Sequence, residues 1–88
     1  MNDYQEAIER IRIVKAAHES ELMSKANVVG VGIGFRHRGK TRTDDVVLVV
    51  LVEKKLPRAQ LKPTDVIPGL IDGVRVDVQE SGRIVPQI

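Results

Sequence analysis

The stretch of this sequence that most closely matches a chemical motif is GFRHRGKT, from Gly34 to Thr41. It fits the pattern G-x-x-x-x-G-K-S/T, in which a loop and a following helix surround the phosphates of a nucleotide. The context contradicts that interpretation, because the residues after Lys40-Thr41 are RTDDVVLVVLV, a β-branched run without helical periodicity. The alternate glycines of GVGIG do not fit the dinucleotide pattern G-x-G-x-x-G either. We therefore predict a hairpin turn, in which Gly39 supplies a backbone conformation that other residues resist.

The same turn concentrates positive charge. Five of seven residues are basic or can become so, namely Arg36, His37, Arg38, Lys40 and Arg42. At the tip of a hairpin they would contact phosphates or an acidic protein surface, which makes an electrostatic nucleic-acid-binding protein the alternative functional hypothesis. The competing interpretation is a solvated loop whose charges discourage pairing of strand edges. Asp44 and Asp45 follow directly, and Tyr4 and Phe35 are the only aromatic residues, which argues against a base-stacking surface.

The residues that commonly perform catalysis or bind metals are sparse. The chain has no cysteine and two histidines, with no further ligands at metal-binding spacing. His18 lies on a predicted helix and is interpreted as a surface group beside Glu19 and Glu21. No serine lies in the G-x-S-x-G pattern of a nucleophile. We therefore predict no enzyme activity, no catalytic residues, no metal and no cofactor.

An unusual strand, NVVGVGIGF, precedes the basic turn. Its alternation directs Val29, Val31, Ile33 and Phe35 to one face and Gly30, Gly32 and Gly34 to the other, next to Val28. Glycine weakens a strand unless something must approach its backbone closely. A helix or a neighbouring chain packed on the glycine face explains the pattern most simply, and a bound ligand is the alternative. The three glycines are therefore candidate interaction residues.

The elements that position these residues indicate a small α+β domain. The 88 residues suffice for one domain, 1–88, with a modest core. Spacings of three and four predict an amphipathic helix at about 3–25, and the next segments predict a hairpin at 27–53, with apolar VVLVVLV as a central strand. A proline-rich loop follows at 54–73, with a tight turn at Asp72-Gly73, and final strands cover about 74–86. The helix should pack on a mostly antiparallel sheet of three to four strands.

Charge and hydropathy bear on whether the protein binds nucleic acid, enters a membrane or is secreted. The formal net charge of +2 is too small to imply nucleic acid by itself. No apolar run approaches the roughly 18 residues of a membrane span, and the polar, acidic N-terminus is unlike a signal peptide. We predict a cytoplasmic protein that does not enter a membrane.

The order of motifs from Asn27 to Glu80 resembles a known arrangement. NVVGVGIG, VEKKLP and IPGLIDGVRVDV stand in the order and spacing found in the N-terminal segment before the trypsin-like serine peptidase domain of a group of bacterial proteins. The resemblance implies a small accessory domain without catalytic residues of its own, since those of the peptidase lie downstream. It adds to the interpretation of the glycine strand, and together they predict a non-catalytic interaction domain. Its partner would be a neighbouring protein domain or a second copy, which would give a homo-oligomer.

Overall fold

The computed structural model describes residues 3–81 and contains one long helix packed on a four-stranded sheet. Helix α1 spans Asp3–Ser24, and the strands are β1 (Val28–Arg38), β2 (Thr41–Val52), β3 (Leu70–Ile71) and β4 (Val74–Glu80). The strand order in the sheet is β1-β2-β4-β3. The predicted α+β class is therefore confirmed. The sheet is mixed, because β2 and β4 run parallel while the β1–β2 and β3–β4 pairs are antiparallel.

Helix α1 forms because its apolar residues recur on one face. Ile11, Val14 and Leu22 are buried in the core against β2 and β4. Leu22 rather than Met23 points inward, since Leu22 is buried and Met23 is exposed. The helix ends at Ser24, and Asn27 then takes the left-handed conformation with φ of 74°, as its position predicted.

Strands β1 and β2 form the predicted hairpin. Gly39 lies in the connecting turn with φ of +60°, a conformation that favours glycine. Strand β2 begins two residues later at Thr41. The residues after Lys40 therefore form a strand and not the helix that a phosphate-binding loop requires. Both strands are longer than the apolar pattern indicated, because the polar residues of the turn continue the pairing to Arg38 and Thr41.

Strand β2 is one of the two inner strands of the sheet, in agreement with the central position that its doubly apolar sequence predicted. Leu48, Val50 and Val52 face the helix and form the main core with Val74 and Val76 of β4. Val47 and Val49 point to the opposite face and are also buried, at 2% and 7% exposure. Burial on both faces explains why the sequence of β2 is a continuous apolar run.

The segment after β2 is irregular until the sheet resumes. It contains two single-turn 3₁₀ helices, Arg58–Gln60 and Pro63–Asp65, whose length the prolines limit. Asp72 and Gly73, with φ of 48° and 81°, make the predicted tight turn between β3 and β4. The predicted short pairing of Ile84-Val85 lies outside the described residues. Within residues 3–81, no helix combines the length and the apolar character that crossing a membrane requires.

Candidate interaction surface

Strand β1 is an edge strand of the sheet, and its glycines lie on the face that α1 does not cover. The register pairs Gly30 with Leu51, Gly32 with Val49 and Gly34 with Val47, and paired residues share a face. The helix packs on the other face, over Leu48, Val50 and Val52. The expectation that a helix of the same chain covers the glycines therefore differs from the structure.

Val28 also lies on a different face from the one expected. A register irregularity between Val28 and Gly30 places Val28 opposite Val52, where it packs against the helix-side core. Such an irregularity adds a residue to one strand and reverses the inward and outward alternation beyond it. The sequence carries no separate signal for it, because simple alternation predicts Val28 on the glycine face.

The three glycines have different surroundings. A Cβ atom at Gly34 would lie 3.1 Å from Val49 Cγ2, and one at Gly30 would lie 3.4 Å from Leu51 Cδ1. A Cβ atom at Gly32 would have no heavy atom of the described residues within 4 Å. Val49 therefore restricts side chains at position 34, whereas the surface at Gly32 is open.

The direction of the main-chain N–H and C=O groups of β1 follows from the way β2 pairs with its neighbours. Ser81 N–H donates to the Val52 carbonyl, which therefore points toward β4. Because the N–H and C=O of one extended residue point the same way and alternate along a strand, Val47, Val49 and Leu51 direct theirs toward β1. Their partners on β1 are the three glycines. Val31 and Ile33, which alternate with the glycines, therefore direct their N–H and C=O groups away from the sheet.

This outer edge is apolar and lacks charge from Val28 to Phe35. The side chains of Val29 and Ile33 are 41% and 36% exposed, although both are large and aliphatic. Among the described residues, no strand pairs with β1 on the side away from β2. We call residues Val28–Phe35 the open edge. It combines main-chain groups that no other described strand pairs with exposed aliphatic side chains, which is the combination that another strand can bind.

The basic turn lies at the hairpin tip, beyond a second irregularity. Between the pairs Phe35–Val46 and His37–Arg42, β1 has one residue and β2 has three. The resulting bend brings the hairpin toward β4, where Asp77 Oδ2 accepts from His37 N–H at 2.9 Å. Gln79 Nε2 also donates to the Phe35 carbonyl at 2.9 Å. Sequence reasoning missed both contacts, because they join residues more than 39 positions apart.

The five basic side chains of the turn lie on one hairpin tip, but their surroundings differ. The Arg42 guanidinium lies over the Phe35 ring, 4.0 Å from its centroid, and that ring also meets Tyr4 edge-on at 6.3 Å. Arg36 lines a cleft with Asp44 and Asp45, whose carboxylates reduce the local positive charge. Arg38 and Lys40 are exposed and form no ion pair within residues 3–81.

His18 makes a contact that sequence reasoning missed. Its Nε2 lies 2.8 Å from Asp72 Oδ2 in the β3–β4 turn, and its Nδ1 lies 3.8 Å from Glu21 Oε2. The hydrogen bond with Asp72 raises the pKa of His18 above its ordinary value, and the charge of Glu21 acts in the same direction. No group of three or more potential metal ligands occurs in the described part of the chain. The contact joins α1 to the turn, and we assign it a structural role.

The fold and the open edge define a small α+β domain in which one helix covers one face of a sheet, and the long strand β1 forms an edge of that sheet. A family model described as the NARROW LEAF 1 N-terminal domain matches residues 6–79, which is most of the chain. The chain therefore belongs to the NARROW LEAF 1 N-terminal domain family. No curated protein sequence matches it significantly.

Proposed function

We propose that this domain is a non-catalytic interaction module that associates through the open edge of β1. The observation that carries the proposal is an edge of eight residues without charge or proline, at which Val31 and Ile33 direct main-chain groups outward. Natural sheets usually protect such edges with charge, proline or short strands. An edge that lacks this protection is suited to strand addition, in which main-chain hydrogen bonds hold the partner strand.

The partner that fits this edge best is a second copy of β1, running antiparallel. If two copies pair about Gly32, Gly32 lies opposite itself and Gly30 lies opposite Gly34. In the same register Val31 opposes Ile33, and Val29 opposes Phe35. Every glycine thus meets a glycine and every apolar side chain meets an apolar one. A two-fold axis relates the copies, as in most homodimers.

Two terms would stabilise this dimer. The outward main-chain groups of Val31 and Ile33 would form hydrogen bonds with those of the second copy. The exposed aliphatic area of Val29 and Ile33 would leave water, at about 25 cal/mol for each Å² buried.

The resemblance of Asn27–Glu80 to a segment that precedes trypsin-like peptidase domains supports an accessory role. We propose that, where such a domain is attached to an enzyme, the open edge brings copies together and the domain performs no chemistry itself. In this proposal the domain works in the cytoplasm.

A single cysteine tests the pairing directly, because the chain has none of its own. In the proposed register the Cα atoms at position 32 of the two copies lie about 4.5 Å apart, within the range that a disulfide spans. Gly32→Cys should be tolerated, since a Cβ there meets no neighbour within 4 Å. Mild oxidation should convert most of this variant to a covalent dimer.

Val29→Cys is the matched control, because the side chain of Val29 is exposed on the same strand. In the proposed register position 29 lies about 20 Å from its copy, counted as six residues of about 3.4 Å. It should therefore oxidise to dimer much more slowly. Equal cross-linking of the two variants, or none in either, would contradict pairing about Gly32.

Nucleic-acid binding is the second candidate, and it is favoured by the exposed charges of Arg38 and Lys40, which form no ion pair within residues 3–81. It predicts binding to duplex or single strands at low salt that weakens steeply as salt rises. Fluorescence anisotropy with both kinds of strand measures this, and Arg38→Gln with Lys40→Gln should abolish it. No binding at low salt removes this candidate, and the proposal for the open edge is unaffected.

A further inference from the structure

A cavity of about 320 Å³ lies at the opposite end of the domain from the basic turn. It is bounded by the end of α1, the end of β2, strand β4 and the proline-rich loop. Aliphatic side chains form most of its wall, among them Val52, Ile67 and Val78. Lys54, Lys55 and Arg58 of its lining are exposed, so the cavity is open to solvent on that side.

The wall of the cavity is held in place by hydrogen bonds between three segments. The Asn27 side chain bonds the backbone of Lys54 twice, since its Nδ2 donates to the carbonyl and its Oδ1 accepts from N–H at 3.2 Å. Ala26 N–H donates to Asp65 Oδ1 at 3.0 Å. Lys25 Nζ donates to the Thr64 carbonyl at 2.6 Å. The cavity is therefore preformed, as binding sites for small molecules usually are.

Positive charge surrounds the opening of this cavity. Lys54, Lys55 and Arg58 line it, and none of them forms an ion pair with a residue of the described range. Asp65 is the acidic residue of the lining, and one of its oxygens already accepts from Ala26 N–H. Three cations and one carboxylate leave the opening net positive. An apolar interior with a positive opening matches a molecule with an aliphatic chain and an anionic end.

We propose that this cavity binds a free aliphatic carboxylate of about eight carbons, with its chain inside and its carboxylate at Lys54, Lys55 and Arg58. The volume of about 320 Å³ accommodates about ten groups of the size of a water molecule, each about 30 Å³. Octanoate has that number of non-hydrogen atoms. A lysine or arginine holds a carboxylate by charge-assisted hydrogen bonds, which are stronger than neutral ones.

Titration of the full chain with octanoate, followed by amide NMR shifts, tests the proposal. Saturable shifts should centre on the cavity, at Asn27, Lys54 and Ile67, and octan-1-ol should bind at least about tenfold more weakly. Shifts that do not saturate, or equal affinity for the alcohol, would overturn it. The result of this titration does not depend on the proposal for the open edge. That proposal concerns β1 and is tested by measuring self-association.

Two variants separate charge from shape. Replacing Lys54, Lys55 and Arg58 with Gln should weaken octanoate binding about tenfold or more, whereas the same changes at Arg36, Arg38 and Lys40 should leave it unchanged. Ala26→Leu should narrow the cavity and block octanoate, while Ala16→Leu, on the exposed surface of α1, should not. Equal weakening by both charge variants, or full binding by Ala26→Leu, would contradict the assigned site.

Discussion

The two edges of the sheet are built differently. Strand β3 forms one edge with only two residues, Leu70 and Ile71, between Pro68-Gly69 and the tight turn at Asp72. Strand β1 forms the other with 11 residues, and its first eight carry no charge. A short strand offers few main-chain groups to a partner, whereas a long one offers a template. The edge at β3 is therefore protected by its short length and its turn, whereas the edge at β1 is accessible to another strand.

The charges of β1 sharpen this contrast. Positive residues are confined to the hairpin tip, from Arg36 onward, where a bend and the contacts with Asp77 and Gln79 hold the strand to β4. The open edge carries no charge, and the contact with Gln79 reaches its last residue, Phe35. Charge thus discourages strand addition at the part of β1 that already contacts β4. The uncharged part remains able to pair with another strand.

The largest expected effect comes from placing a charge on the open edge. Ile33→Lys should weaken self-association at least about 30-fold, or about 2 kcal/mol, because each copy would bring an ammonium group against apolar Val31. Sedimentation equilibrium measures the change. The matched control is Ile13→Lys on α1, where the isoleucine is even more exposed, at 68%. If Ile13→Lys weakens association instead, the helix rather than the edge strand carries it.

The next effect distinguishes two glycines on the same strand. Gly34→Val should destabilise the fold by about 1–3 kcal/mol, since even its Cβ would lie 3.1 Å from Val49 Cγ2. Gly32→Val should be neutral or stabilise by up to about 1 kcal/mol, because space is open there and valine favours strands. Urea unfolding of both variants provides the comparison. A loss of stability at Gly32 equal to that at Gly34 would show that both glycines are packed alike.

A smaller effect concerns the turn that closes the β3 edge, where His18 on α1 contacts Asp72. The pKa of His18 is raised above 6.5, chiefly by this hydrogen bond. The folded state therefore binds the proton more tightly than the unfolded state does. The resulting stability is fully present below pH 6.5 and is lost as pH rises through the folded pKa.

Asp72→Asn should remove this dependence. Urea unfolding across that pH range should show wild type more stable than Asp72→Asn at low pH, with the difference shrinking as pH rises. Asp44→Asn, at an exposed aspartate beside the hairpin tip, is the control and should give a constant difference. A constant difference for Asp72→Asn as well would mean that the contact is absent in solution.

The smallest expected effect is at the closed edge itself. Leu70→Lys should leave self-association unchanged, although Leu70 is 64% exposed, because two residues cannot support strand pairing. The same sedimentation experiment measures it. Weaker association for Leu70→Lys would place the interface on the β3 edge.

Local patterns predicted most of the fold. The helix, the hairpin and the turn at Asp72-Gly73 follow from periodicity and turn chemistry, which act over a few residues. The parallel pairing of β2 with β4 could not be read in the same way, because it joins segments separated by the proline-rich loop. The irregularity that turns Val28 toward the core also leaves no trace in the alternation of NVVGVGIGF.

The candidate site was predicted in part. The alternation of Gly30, Gly32 and Gly34 identified a strand with an unusual face. That this face points away from the helix depends on the register with β2. That β1 lies at an edge depends on which strand occupies the other side of β2. The cavity by Lys54 and Asn27 was missed for a similar reason, since its wall comes from four separate segments.

The most direct test of the central claim is the mass of the chain by sedimentation equilibrium, from about 1 µM to about 1 mM. This range covers dissociation free energies of about 8 to 4 kcal/mol. Pairing through the open edge predicts a rise toward twice the 9.8 kDa chain mass, and loss of that rise in Ile33→Lys. A mass of 9.8 kDa at every concentration, or a dimer that Ile33→Lys leaves intact, would contradict association through the open edge.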